Sequence, residues 1–377
     1  MDPRTLPCDT DAVLARLEPW IECESPTFDR AAVNRMMDLA ASDLRGLGAE
    51  VTRLEGSGGF GDCVLGRFPH PKGDAGGILV MGHLDTVHPV GTLADLPFRR
   101  DGGRCYGPGI LDMKGGCRLA LEAIAALREA GLATELPVSV LFTSDEEVGS
   151  PSTRALIEAE AGRHRFILVP EPARGAFGVV TGRYAIARFN LEAVGQPSHA
   201  GLGLRDRRSA IRAMAQKLLA IEDMTTDACT FSVGVIHGGR WVNCVPTVCV
   251  AEALSMAKRQ DDLDTGTERI LALSSSENGV DFRVARGVVR PVWEPDAGTL
   301  GLYGQASAIA AQLGHDLPHG SLGGGSDGNF TGALGIPTLD GLGLAGEGVH
   351  TLDEHITVDS LAPRMRLVAG LLATLSA

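Results

Sequence analysis

In LFTSDEEVGS (141–150), three acids in a row, Asp145, Glu146 and Glu147, follow the apolar run VSVLFT and precede the turn residue Gly149. Like charges at that spacing repel and raise one another's pKa. Either water screens them, or a cation gathers them. Four other stretches offer similar groups. In MGHLDTVHP (81–89), His83 and Asp85 alternate along the end of an apolar run and so point to one side of it. In GPGILDMKGG (107–116), Asp112 sits between glycines just ahead of a helical pattern; it could cap that helix or span two cations with its two oxygens. Glu171 follows the apolar run in RFILVPEP, and His350 follows a glycine turn in GEGVHTLDEH.

Each residue alone has a plain structural reading: a core histidine, a helix cap, a solvated loop acid, a surface histidine. Together, two imidazoles and three carboxylates form a hard-to-borderline donor set for a pair of divalent ions. Zinc fits this set, and cobalt or manganese could substitute. Within SDEE, one acid could coordinate while another stays off the metal and handles a proton. A carboxylate such as Asp85 could fix the tautomer of a ligating histidine.

The elements that must carry these groups alternate in type. Helical periodicity runs over 9–22 and 29–48. Apolar runs over 76–83, 136–144 and 165–172 then alternate with a helical stretch over 116–131. Strand–helix–strand at this spacing predicts a mixed, mostly parallel sheet with helices on both faces, and open α/β sheets bind ligands at such strand ends. After Gly182 the pattern changes. Half-exposed strands over 183–195, 230–239, 245–259 and 280–291 and helices over 207–224 and 261–278 suggest a small α+β unit inserted in a larger one. The expected boundaries are 1–182 with 292–377 for the larger domain and 183–291 for the insert, with hinges near 182–184 and 291–293. A helix over 299–314, a glycine-rich turn over 320–330, a strand from Ile336 and a helix over 361–376 complete the larger domain.

Bulk properties exclude several classes. A net charge of −13 argues against nucleic acid or an anionic membrane surface as partner. The chain has no apolar stretch of about 18 residues, so no membrane span is expected. The opening MDPRTLPCDTDAVLARLEPW carries early acids and no apolar leader segment, which points to the cytoplasm. Eight scattered cysteines, none in a C-x-x-C pair, read as thiols in a reducing compartment. A nicotinamide-dependent reading fails, because no predicted strand is followed by G-x-G-x-x-G and a helix.

The ordered motifs H-x-D-T-V-x-P, G-x-G-x-x-D-x-K-G-G, S-D-E-E-x-G-S, E-P and a late G-x-x-H resemble those of the co-catalytic zinc exopeptidase and amidohydrolase family. That family includes carboxypeptidase G, succinyl-diaminopimelate desuccinylase, aminoacylase-1 and acetylornithine deacetylase. The likeness runs over nearly the whole chain and is nearest to glutamate carboxypeptidases of the carboxypeptidase G type. It implies two divalent ions per chain. Asp112 would bridge them, His83 and Glu171 would complete one site, and Glu147 and His350 the other. Asp85 would orient His83, and Glu146 would act as general base and acid on a water between the ions. The Asp112–Met113 peptide would be cis.

The resemblance also makes the insert a dimerisation domain. His199, in GQPSHAG, would reach the partner subunit's site and help bind the oxyanion. Asn243, in HGGRWVNCVP, would touch substrate. Arg290 would grip a substrate carboxylate, and Gly324 and Gly325 would let backbone amides approach the ligand, with Asp327 in support. One departure stands out. Family members usually carry D-x-R after the N-x-x-P turn, and here Leu254, Ser255 and Met256 occupy those places.

The resulting expectation is hydrolysis of an amide in a small peptide or N-acyl amino acid, releasing an amino acid, by a homodimer. The alternatives are an N-acyl or N-carbamoyl amino acid amidohydrolase using the same site and, from another class, an inactive metal-binding homologue.

Overall fold

The computed structural model describes residues 2–74, 76–202 and 208–376, so Arg207, where one predicted helix begins, lies outside the described residues. The chain divides into two compact units. One comprises Met1–Gly182, Glu294–Leu322 and Ser326–Ala377; the other comprises Arg183–Trp293 and Gly323–Gly325.

The first half of the larger unit runs α1 (Thr10–Glu22), α2 (Arg30–Gly46), β1 (Glu50–Leu54), β2 (Cys63–Arg67), β3 (Gly77–His83), β4 (Arg99–Asp101), β5 (Arg104–Tyr106), α3 (Gly115–Glu129), β6 (Val138–Thr143), α4 (Arg154–Ala161), β7 (His164–Leu168) and β8 (Val179–Arg183). The side chains of Asp9 and Asp29 cap the free amides that begin α1 and α2. Six strands form the central sheet in the order β1-β2-β6-β3-β7 and then β15 (Thr338–Leu339). β3 and β6 are buried along their whole length, which explains their unbroken apolar sequence. β6, β3, β7 and β15 run parallel, whereas β1 and β2 add an antiparallel edge.

Register decides what emerges from this sheet. His83 pairs with Thr143, so SDEE begins one residue beyond the level of His83. Val80 pairs with Leu168, which puts His83 and Glu171 the same number of residues past a paired position. β7 stops at Leu168, earlier than the predicted 172, because Pro170 has no N–H to continue the ladder. α3 begins with a glycine pair for a steric reason. A Cβ on Gly116 would lie 1.8 Å from the carbonyl oxygen of Pro170, so the helix start presses against the segment that leads to Glu171.

The second unit runs β9 (Ala185–Val194), α5 (Ala210–Glu222), β10 (Cys229–Gly238), β11 (Val248–Ala257), α6 (Gln260–Leu271), β12 (Ser275–Glu277) and β13 (Val280–Arg290). Its antiparallel sheet has the order β10-β11-β9-β13-β12. Ala185, Ala187, Phe189, Leu191 and Ala193 alternate along β9 into a core shared with Met214 and Ile221 of α5 and Leu263 and Ile270 of α6. The helix expected over 261–278 ends at Leu271. Asn278 and Gly279 both take positive φ and form the tight turn of a hairpin between β12 and β13.

The larger unit resumes with α7 (Ala297–Gln312), β14 (His319–Leu322), α8 (Gly328–Ala333), the two-residue β15, β16 (Gly346–Glu347), β17 (His355–Thr357) and α9 (Leu361–Thr374). β16, β17, β5 and β4 form a small separate sheet. Among the described residues, no helix is long and apolar enough to cross a membrane.

Candidate metal centre

His83, Asp112, Glu146, Glu147, Glu171 and His350 come together in the larger unit, from five separate chain segments. The two oxygens of Asp112 face two different imidazoles. Oδ1 lies 3.3 Å from His83 Nε2, and Oδ2 lies 3.1 Å from His350 Nε2. On the His83 side, Nε2 is 3.9 Å from Glu171 Oε1 and 3.8 Å from Glu146 Oε2. On the His350 side, Nε2 is 3.2 Å from Glu147 Oε2. The ligand-type atoms of His83, Asp112 and Glu147 all lie within 4.8 Å of one another. The Asp112–Met113 peptide is cis.

The electrostatics fit a cation. Burial pushes the carboxyl of Glu171 well above the usual range, and the Asp112 charge adds to the effect. Burial likewise raises Glu147, against the opposing hydrogen bond from His350. Asp112 is held well below its ordinary value, because His350 and His83 outweigh its burial. Burial works against a charge on His83, but Asp112, Asp85 and Glu146 overcome it and raise its pKa well above the ordinary imidazole value. Hydrogen bonds to Asp112 and Glu147 bring His350 up to about 10. In the metal-free protein, then, protons hold the crowded carboxylates together. Divalent ions could take their place with the same donors, and two imidazoles among carboxylates suit zinc or a neighbouring first-row ion. The residues present therefore fit the implied metals.

The three consecutive acids part company. Glu146 and Glu147 turn into the cluster, whereas Asp145 faces away, accepting from Ser152 N at 2.7 Å and from the Thr153 hydroxyl. The carbonyl oxygen of Asp85 accepts from His83 Nδ1 at 2.9 Å, leaving Nε2 aimed at the cluster. The Asp85 carboxylate does other work: it accepts from the backbone amides of Glu146 and Glu147 at 3.2 and 3.3 Å and from the Thr27 hydroxyl at 2.7 Å. It therefore anchors the acid-bearing turn as much as it faces the histidine, whose Nδ1 is 3.5 Å from its Oδ1. Asp327 accepts from Thr143 Oγ1 at 3.0 Å and from the Ser150 hydroxyl, bracing the same turn.

Two supporting residues were not singled out from the sequence. Thr27 is one. Lys114 is the other: its fully buried ammonium donates to the carbonyls of Trp20 and Cys23 at 3.1 and 2.8 Å and clamps the Asp112 turn to the end of α1. Burial lowers its pKa to about 8. The lysine of D-x-K-G-G was visible as a letter, but its role depends on a carbonyl cage that only the folded chain shows.

The other predicted residues belong to the second unit. The segments around His199 and Asn243 pair with each other, with Ala200 N donating to Asn243 O and Val245 N to Ser198 O, both at 2.9 Å. Both side chains are exposed. Arg290, at the end of β13, is buried and pairs with Ile186. Gly325 lies against it: a Cβ there would meet Arg290 Cδ at 2.7 Å. Arg183, also unforeseen, donates to the carbonyls of Gly324 and Gly325 at 2.9 and 3.2 Å and so fixes that glycine strand.

Comparison with known proteins gives a consistent picture. Residues 79–374 match the model of peptidase family M20/M25/M40. The chain is 31% identical over 379 residues to carboxypeptidase G2 of Pseudomonas sp. (strain RS-16), covering 97% of this chain and 90% of that protein. It is 25% identical over 325 residues to succinyl-diaminopimelate desuccinylase of Thioalkalivibrio sulfidiphilus, covering 81% and 85%. In fold it is similar to human carnosine dipeptidase 1, with a TM-score of 0.78 at 16% identity over 97% of this chain and 96% of that one.

Proposed function

The chain belongs to peptidase family M20/M25/M40 and is a metal-dependent hydrolase; from that premise we propose that it cleaves an amide bond in a small peptide or acylated amino acid, releasing a free amino acid as a glutamate carboxypeptidase does. The observation that carries this reading is the split of Asp112, whose two oxygens address His83 and His350 separately. That arrangement supports two ion positions sharing one carboxylate, with His83 and Glu171 on one side and Glu147 and His350 on the other.

A pair of divalent ions, with zinc favoured by the donor set and cobalt or manganese able to replace it, would polarise the scissile carbonyl and lower the pKa of water. Glu146 takes the proton of the attacking water as its oxygen bonds to the amide carbon, then hands that proton to the nitrogen as the C–N bond breaks. Asp85 holds Glu146 and Glu147 by their amides and His83 by its carbonyl, so base and ligands keep a fixed spacing. Arg290 grips a substrate carboxylate with its planar fork, and Asn243 and the amide of Gly325 help seat the ligand. His199 steadies the developing oxyanion, supplied by the partner subunit of a homodimer formed through the second unit. Exposed Val235, Ile236, Val248 and Val250 on β10 and β11 support an interface there.

A second reading is an N-acyl or N-carbamoyl amino acid amidohydrolase using the same site; Leu254, Ser255 and Met256, standing where family members usually carry D-x-R, weaken the case for a folate-type glutamate conjugate as substrate. A panel of dipeptides, glutamate conjugates and N-acyl amino acids, run on zinc- and cobalt-loaded protein, separates the two. Chelation must abolish turnover in either case. Glu146→Ala must keep two ions per chain while losing turnover; a variant as active as the parent would remove Glu146 from the reaction.

A further inference from the structure

One buried carboxylate outside the proposed ligand set touches two of the segments that build the site and stands on a third. Glu354 is 1% exposed. Its Oε1 accepts from the backbone amides of Leu111 at 2.8 Å and Asp112 at 3.0 Å. Its Oε2 accepts from the amide of Gly109 at 2.9 Å and from His88 Nε2 at 2.7 Å. Four donors use the full accepting capacity of a carboxylate.

The fold explains how it gets there. His355 of β17 pairs with Tyr106 of β5, so Glu354 stands beside the chain as it leaves β5 for the turn that carries Asp112. Gly107 N also donates to the Glu354 carbonyl, at 3.4 Å. Gly109 takes a left-handed φ of +71°, and a Cβ there would press on Thr86, so the turn packs closely against the segment between His83 and His88. Each tethered segment delivers one member of the cluster. His88 lies five residues past His83, the Leu111 and Asp112 amides belong to the Asp112 turn, and Glu354 itself lies four residues past His350.

We propose that Glu354 is the positioning residue that holds His83, Asp112 and His350 in register with one another, so that a single carboxylate sets the geometry of both ion positions. This rests on the two-ion reading of the centre. The Asp112 amide and the Asp112 side chain share one Cα, so a shift of that amide moves both oxygens that face the imidazoles. Glu354→Gln is nearly isosteric, yet its NH₂ group turns a donor toward amides or an imidazole that are themselves donors. Glu354→Asp keeps the charge but is one methylene too short to meet all four partners.

The test is zinc titration of metal-free protein against a chromophoric chelator, paired with the visible spectrum of the cobalt-loaded protein. The parent takes two ions. Glu354→Gln is expected to weaken both by about 10- to 100-fold, the range seen when groups behind metal ligands are removed, and to change the cobalt absorption. Glu354→Asp is expected to fall between and carries the same comparison if Glu354→Gln does not fold. Glu122→Gln serves as control. It breaks the buried contacts of Glu122 with Arg16 and Arg118, and it should lower thermal stability while leaving zinc affinity and the cobalt spectrum at parental values. If both Glu354 variants bind zinc as tightly as the parent with the parent's spectrum, Glu354 is a loop fastener only and the proposal is overturned. A parent that fails to take two ions overturns the two-ion reading itself.

Discussion

β3 and β6 of the larger unit and β9 and β11 of the second unit all bury apolar residues, yet they present chemistry in opposite ways. β3 and β6 are buried on both faces, so a polar side chain can emerge only where the strand ends, and His83 and the SDEE run do so. β9 and β11 bury alternate residues against α5 and α6. Their other face carries Asn190, Glu192, Val250 and Glu252 along its length. A sheet covered on both sides concentrates titratable groups into one crowded, desolvated cluster whose pKa values are pushed apart, Glu171 and Glu147 upward and Asp112 downward. A sheet covered on one side spreads polar groups over a surface, where water keeps them independent and a partner or substrate can read them.

That contrast can be broken or sharpened by experiment. The largest effect belongs to the cluster: Glu146→Ala is expected to lower kcat by about 10²–10⁴-fold with metal content unchanged, the span that a positioned acid–base group contributes. Steady-state kinetics with elemental analysis checks it. Next comes stability. Leu79→Ala in the doubly covered β3 is expected to cost about 2–5 kcal/mol, whereas Glu192→Gln on the open face of β9 should stay within about 0.5 kcal/mol. Denaturant unfolding measures both, and equal costs would erase the distinction between the sheets. Third, Arg290→Ala is expected to raise KM by roughly 10-fold or more while kcat changes little, because it removes binding rather than the reacting group. A kcat loss with unchanged KM would assign Arg290 to the chemical step.

The smallest effect concerns protons. In the metal-free protein hydrogen bonds to Asp112 and Glu147 raise His350 to about 10, so at neutral pH it carries a proton that an ion must displace. Metal binding should release at least one proton, and affinity should rise with pH by roughly tenfold per unit for each proton released. Calorimetry in two buffers of different ionisation heat detects the release, and its absence would mean that the cluster is already deprotonated. The same raised pKa gives a sign for stability without metal. The contribution of His350 is fully present below the unfolded imidazole value near 6.5 and is lost as pH rises through about 10.

The strand ends were legible because burial on both faces leaves a long apolar run, and a charge that follows such a run has little else to do. His83, Glu147 and Glu171 stood out for that reason; Asp112 and His350 stood out by their glycine turns, and the resemblance alone gave all five an order and a role. The rest depended on register. Asp145, Glu146 and Glu147 are interchangeable as letters, and only Ser152 and Thr153, waiting to hydrogen-bond Asp145, turn it away from its neighbours. Glu354 became visible once β17 was paired with β5, a contact about 250 residues apart in sequence. The β1 and β2 edge strands were missed because Arg53, Glu50 and Arg67 interrupt their apolar pattern. The overrun of the helix after Gln260 had a local signal, the Asn278–Gly279 hairpin turn, which outweighs helical periodicity over SSSEN.

The central claim is best tested by a crystal structure of zinc-soaked protein with data collected on both sides of the zinc absorption edge. Two anomalous peaks are predicted, one on each side of the Asp112 carboxylate, the first against His83 and Glu171 and the second against Glu147 and His350. A single peak, or a pair that leaves Asp112 outside its coordination, contradicts the account.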